Sequence, residues 1–185
     1  MRPTSTLIAA EPGSPAQPST PGPSVPVPSS VPAVIRSAAT PGPDAPAIPA
    51  HALPHRTPAE LLALARRGLA EAEQQRADGL RYATAHLAAL RAAAAVLAAR
   101  ARPVPSRRSR LTNVWVLLTM VAPELSEWAA FFAASAGKRA AAEAGIPRVV
   151  SQREADDLTR LAGSFVSVVE LALGLQPSML DELVA

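Results

Sequence analysis

A chain of 185 residues without cysteine cannot carry a disulfide scaffold, a thiolate zinc site, an iron–sulfur cluster or a cysteine nucleophile. Alanine supplies 41 residues, so the hydrophobic fraction of 49% overstates the core, and one modest domain is what the remaining apolar residues support. The net charge of +3 rests on 17 arginines and the single Lys138, a weak positive balance that permits an acidic or nucleic-acid partner without requiring one.

Fifteen of the 20 prolines precede residue 59. Proline removes backbone donors and turns its preceding neighbour away from helix, so residues 1–56 are expected to be a disordered Pro/Ala-rich tail with polyproline II character. His51 and His55 fall in that tail. The early apolar run Leu7–Ala10 is too short for a secretory signal. No uninterrupted apolar run reaches the roughly 18 residues of a membrane span. The stretch Ala83–Ala99 is broken by His86 and Arg91. A cytoplasmic protein with no membrane association is the expectation.

The folded part is expected over residues 57–174. Thr57-Pro58-Ala59-Glu60 reads as a capping box with proline at the first helical position, opening a helix over about 58–76. A turn at Ala77-Asp78-Gly79 leads to a second helix over about 80–101, with a core stripe of Leu80, Ala83, Leu87, Leu90, Ala94, Leu97 and Ala101. Pro103 and Pro105 stop it, and an arginine-rich loop follows from Arg102 to Arg110. Asn113–Val121 predicts a short third helix. Pro123 starts a fourth that ends at Gly145 and Pro147, with Leu125, Trp128, Phe132, Ser135 or Ala136, and Arg139 on one side. Ser151-Gln152-Arg153-Glu154 is a second capping box, and Leu158, Leu161, Phe165, Val168, Val169 and Ala172 form the stripe of the fifth helix, which Gly174 ends. Residues 175–185 read as a short C-terminal tail. No segment reads as a strand. The fold class is all-α: an up-and-down bundle of four long helices plus a short one.

Elimination narrows the chemistry. The glycines form no Walker loop and no dinucleotide fingerprint. His86 is the only histidine after residue 57 and lacks the glutamate three residues earlier that a carboxylate-bridged metal bundle requires, so neither a metal nor a cofactor is expected. Arg81 and His86 remain, four residues between them. Histidine titrates near neutrality and suits proton transfer, and the arginine fork suits phosphate oxygens. Such a pair can cleave RNA without metal, the histidine acting on the ribose hydroxyl or the leaving oxygen. On a straight helix, however, residues five apart point about 140° away from each other. The alternative is a surface arginine and a histidine at the core boundary. From Arg81 through Arg110 there are seven arginines and no acid, which marks Arg91, Arg100, Arg102, Arg107, Arg108 and Arg110 as an RNA-facing side, with Lys138 and Arg139 as further phosphate contacts. A solvated loop and helix-end charges are the other reading. Trp115, Trp128, Phe131, Phe132 and Phe165 sit on apolar stripes and read as core or dimer interface.

The segments Arg81–Ala93, Pro123–Phe132 and Lys138–Gly145, together with the Arg-x4-His spacing, resemble a small actinobacterial family of the HEPN (higher eukaryotes and prokaryotes nucleotide-binding) superfamily. The resemblance covers roughly residues 57–174. It implies a helical domain that is often dimeric, with an Arg–His motif meeting its symmetry mate across a dimer cleft. The activity it implies is RNA binding with metal-independent endoribonuclease chemistry, in some members in toxin or defence roles opposed by an antitoxin-type protein. Other members are implied to be non-catalytic modules that bind RNA, nucleotide or protein.

Overall fold

The computed structural model describes residues 45–105 and 113–175. Residues 1–44, most of the expected tail, lie outside the described residues, as do 106–112 and 176–185.

Local signals set the helix ends. Helix α1 (Pro58–Gln74) starts where the Thr57 hydroxyl accepts from the Glu60 amide and the Glu60 carboxylate accepts from the Thr57 amide. Helix α3 (Val114–Val121) is capped by the Asn113 side chain, which accepts from the Trp115 amide at 3.0 Å. Helix α5 (Gln152–Leu173) opens on the reciprocal Ser151–Glu154 box and closes on Gly174, whose φ of 65° is a left-handed cap that favours glycine. Helix α2 (Asp78–Arg100) has no side-chain cap, and its Asp78 lies in the first turn. Pro123 begins a single 3-10 turn, and the α-helix α4 (Ser126–Glu143) follows from it.

The fold is all-α, with four long helices and the short α3. Helix α2 is its axis, packed against α1, α5, α4 and α3. Its length and composition are those of a membrane-crossing helix, but most of that stretch is covered by the rest of the bundle. The packing depends on alanine: Ala85, Ala88, Ala89, Ala92, Ala93 and Ala95 are fully buried, so neighbouring backbones approach closely. Gly68 extends this, since a Cβ there would stand 3.0 Å from an Arg91 guanidinium nitrogen and 3.4 Å from the Ala88 Cβ. At one end of this alanine seam Trp115, Trp128, Phe132 and Phe165 form an aromatic cluster with centroid separations of 5.2–6.4 Å.

Two expectations are corrected. The stripe assigned to the second helix is right in part: Ala83, Leu97 and Ala101 are buried and Leu90 and Ala94 pack against the core, but Leu80 is 53% and Leu87 38% exposed, and Tyr82, Ala85, His86, Ala89 and Val96, outside the stripe, are buried. With alanine on every side of α2, hydrophobic spacing does not single out one face, and Leu80 and Leu87 fall on its exposed side. The expectation of no strand is also corrected: the described residues include two short strands, the first of them before residue 57. β1 (Ala47–Pro49) pairs in parallel with β2 (Arg102–Val104), with Ala47, Ile48 and Pro49 opposite Arg102, Pro103 and Val104. Ile48 is fully buried in the common core. Proline density hid the strand, because a single aliphatic residue between prolines has no period to read.

Candidate functional site

Arg81 and His86 leave α2 on different sides, as the five-residue separation dictates. The Arg81 guanidinium turns toward the start of α2 and toward α5. It contacts the Asp78 carboxylate at 2.5 Å, donates to the Gln75 carbonyl at 3.3 Å and lies 3.3 Å from the Asp156 carboxylate. Its side chain forms part of a groove of about 490 Å³ that also takes in Leu69 and Glu73 of α1 and Asp156, Thr159, Arg160 and Ser164 of α5. Two arginines and two carboxylates share this groove, so its charges largely cancel.

His86 faces the other way, into the aromatic cluster, and is 1% exposed. Its ring stands edge-on to Trp115 and to Phe132, each at 5.8 Å. Nε2 is 3.0 Å from the Phe132 carbonyl oxygen. A carbonyl only accepts, so Nε2 carries the proton and donates. Nδ1 is left without a hydrogen-bond partner. Burial pushes the His86 pKa below its ordinary value. The Phe132 carbonyl opposes that shift, Arg139 adds to it, and Glu143 opposes it. The imidazole is therefore neutral at physiological pH and closed to solvent. The structure does not bring Arg81 and His86 together at one phosphate.

Of the other expected phosphate contacts, Arg91, Arg100, Lys138 and Arg139 are engaged internally. Arg91 donates to the Leu64 carbonyl at 3.1 Å, tying α2 to α1. Arg100 binds the Glu124 carboxylate and donates to the Ala172 carbonyl at 3.2 Å, joining the ends of α2 and α5. Lys138 binds Glu154, which together with the Ser151 amide holds that carboxyl at about 2. Arg139 pairs with Glu143 at 3.6 Å along α4. Arg102 is exposed in β2, and Arg107, Arg108 and Arg110 lie outside the described residues. Among the described residues no group of three His, Asp or Glu side chains could hold a metal ion.

A buried carboxylate held by a two-pronged ion pair escaped the sequence. Glu170, 4% exposed on α5, receives both prongs of the Arg66 guanidinium from α1, each at 2.5 Å. The available signal was a lone acid inside the apolar run Val168-Val169-Glu170-Leu171, which requires a partner from another helix. Tyr82 is buried beside Ser135, and burial raises its phenol pKa while the Ser135 hydroxyl opposes that rise.

A family model described as SAV_6107-like HEPN matches residues 72–170, more than half of the chain. The chain belongs to the SAV_6107-like HEPN family. No curated protein and no solved structure matches it. The HEPN match runs from the last turn of α1 to the last turn of α5, so it contains both Arg81 and His86 and leaves out the β1 strand.

Proposed function

We propose that this HEPN domain is a non-catalytic helical interaction module with a protein partner, in which Arg81 and His86 hold the bundle together. The burial of His86 carries the reading. A general acid or base must reach the proton it transfers. Here the ring is 1% exposed, and its donor is committed to the Phe132 carbonyl. Arg81, on the other side of α2, is already paired with both Asp78 and Asp156. The engagement of Arg91, Arg100, Lys138 and Arg139 by carboxylates and carbonyls also argues for a protein partner over RNA, because part of each donor set and, for three of them, the charge are already matched within the bundle.

Purified full-length protein incubated with RNA in EDTA, wild type beside His86→Asn, tests this directly. No cleavage by either is expected. Metal-independent cleavage by the wild type that His86→Asn abolishes without lowering the melting temperature would overturn it. A salt titration of RNA binding separates the partner classes: weak, steeply salt-dependent binding is expected. Tight binding that persists at physiological salt would return RNA as the partner.

A further inference from the structure

The β1 segment occupies a slot on the bundle, and its sequence shows what the slot selects. Ile48 is fully buried, while its neighbour Ala47 and the opposing Arg102 are exposed, so one side chain of three enters the core. Pro46, Pro49 and Pro103 have no amide hydrogen to donate, so the parallel ladder of residues 47–49 with 102–104 is short of donors, and the Arg102 amide donates to the Pro46 carbonyl at 3.1 Å at the start of the register. Recognition therefore falls on an extended Pro-Ala backbone followed by one branched aliphatic side chain. That pattern recurs in the chain at Pro32-Ala33-Val34, 14 residues before Pro46-Ala47-Ile48. Pro15-Ala16-Gln17 shares the first two residues and replaces the aliphatic one with an amide.

We propose that the slot beside β2 is a binding site for extended Pro-Ala-aliphatic segments, held by Pro46-Ala47-Ile48 and exchangeable with Pro32-Ala33-Val34 of the same chain. Strand addition to a short edge with one side-chain pocket is a known mode of peptide recognition. Two factors favour the resident segment. The linker to α1 lengthens from nine residues (49–57) to 23 (35–57), which lowers the local concentration about fourfold. Valine has one methylene fewer than isoleucine, about another fourfold. The second segment thus holds the slot about one-sixteenth as often, a minor state that becomes dominant when Ile48 is lost.

The absence of native cysteine allows a disulfide trap in the full chain. Ala47→Cys with Arg102→Cys, an exposed and directly opposed pair, is expected to close quickly within one chain under glutathione disulfide. Failure to do so would overturn the slot itself. Ala33→Cys with Arg102→Cys is expected to close at least tenfold faster when Ile48→Asp is added, and adding Val34→Asp is expected to remove that gain. Ala16→Cys with Arg102→Cys in the Ile48→Asp background measures chance collision. The exchange is refuted if Ala33→Cys closes no faster than Ala16→Cys, if Val34→Asp changes nothing, or if the product is a disulfide-linked dimer. Ile48→Ala repeats the comparison with a milder change, and melting curves of each variant confirm that the bundle is intact.

Discussion

Replacing His86 by alanine distinguishes a structural ring from a reactive one. The substitution empties an imidazole-sized volume between Trp115 and Phe132 in a site that is 1% exposed. Large-to-small changes in such sites cost about 2–4 kcal/mol. The lost hydrogen bond adds about 1 kcal/mol, and no more, because the Phe132 carbonyl still accepts from the Ser135 hydroxyl at 2.9 Å. A total of about 4 kcal/mol lowers the melting temperature by roughly 12–20 °C in a domain of this size. His86→Phe refills the volume and removes the partnerless Nδ1, so it is expected to cost about 1 kcal/mol or less. The two variants also differ in pH dependence. The folded-state pKa of His86 lies below the unfolded one, so the unfolded chain binds the proton first. The histidine's contribution is fully present above about pH 6.5 and is lost as pH falls below it, at up to ~1.4 kcal/mol per pH unit. Urea unfolding of wild type and His86→Phe from pH 8 to pH 5 reads this as a difference between the two profiles. A flat difference, together with a His86→Ala melting temperature within about 2 °C of wild type, would refute the buried ring.

Arg66→Met strands the Glu170 carboxylate and is expected to cost about 3 kcal/mol, whereas Arg66→Met with Glu170→Leu recovers most of it; a double-mutant cycle by urea unfolding measures the coupling. Lys138→Met is expected to raise the Glu154 pKa from about 2 toward the usual carboxylate range, visible by NMR titration of its side-chain carbon. Because that pKa is depressed in the fold, the stability it supplies is present above about pH 4.5 and is lost as pH falls toward 2, and the variant flattens this part of the profile. Gly68→Val is expected to destabilise by about 2–3 kcal/mol, since its side chain meets Ala88 and displaces Arg91 from the Leu64 carbonyl. Calorimetry beside Gly68→Ala, whose gain in helix propensity of about 1 kcal/mol offsets a milder clash, checks the cause.

Thr57, Asn113, Ser151 and Gly174 end their helices where the sequence places them, because each cap is closed by groups within a few residues along the chain. The aromatic stripes of α4 and α5 were legible for the same reason: Trp128, Phe132 and Phe165 stand out against smaller neighbours at helical spacing. The face of α2 was legible only in part, at Ala83, Leu97 and Ala101. Its alanines are apolar in every direction, and only the approach of four other helices decides that His86 enters the core while Leu80 and Leu87 face water. That choice also separates Arg81 from His86, two residues whose spacing alone suggested a shared phosphate. Glu170 and Ile48 belong with them. A buried carboxylate and a lone isoleucine among prolines gain their roles from Arg66 and β2, partners 104 and 55 residues away in the chain. Helix ends are short-range agreements between neighbouring residues. Burial of a particular side chain depends on which distant surfaces meet, and here the tertiary structure alone decided it.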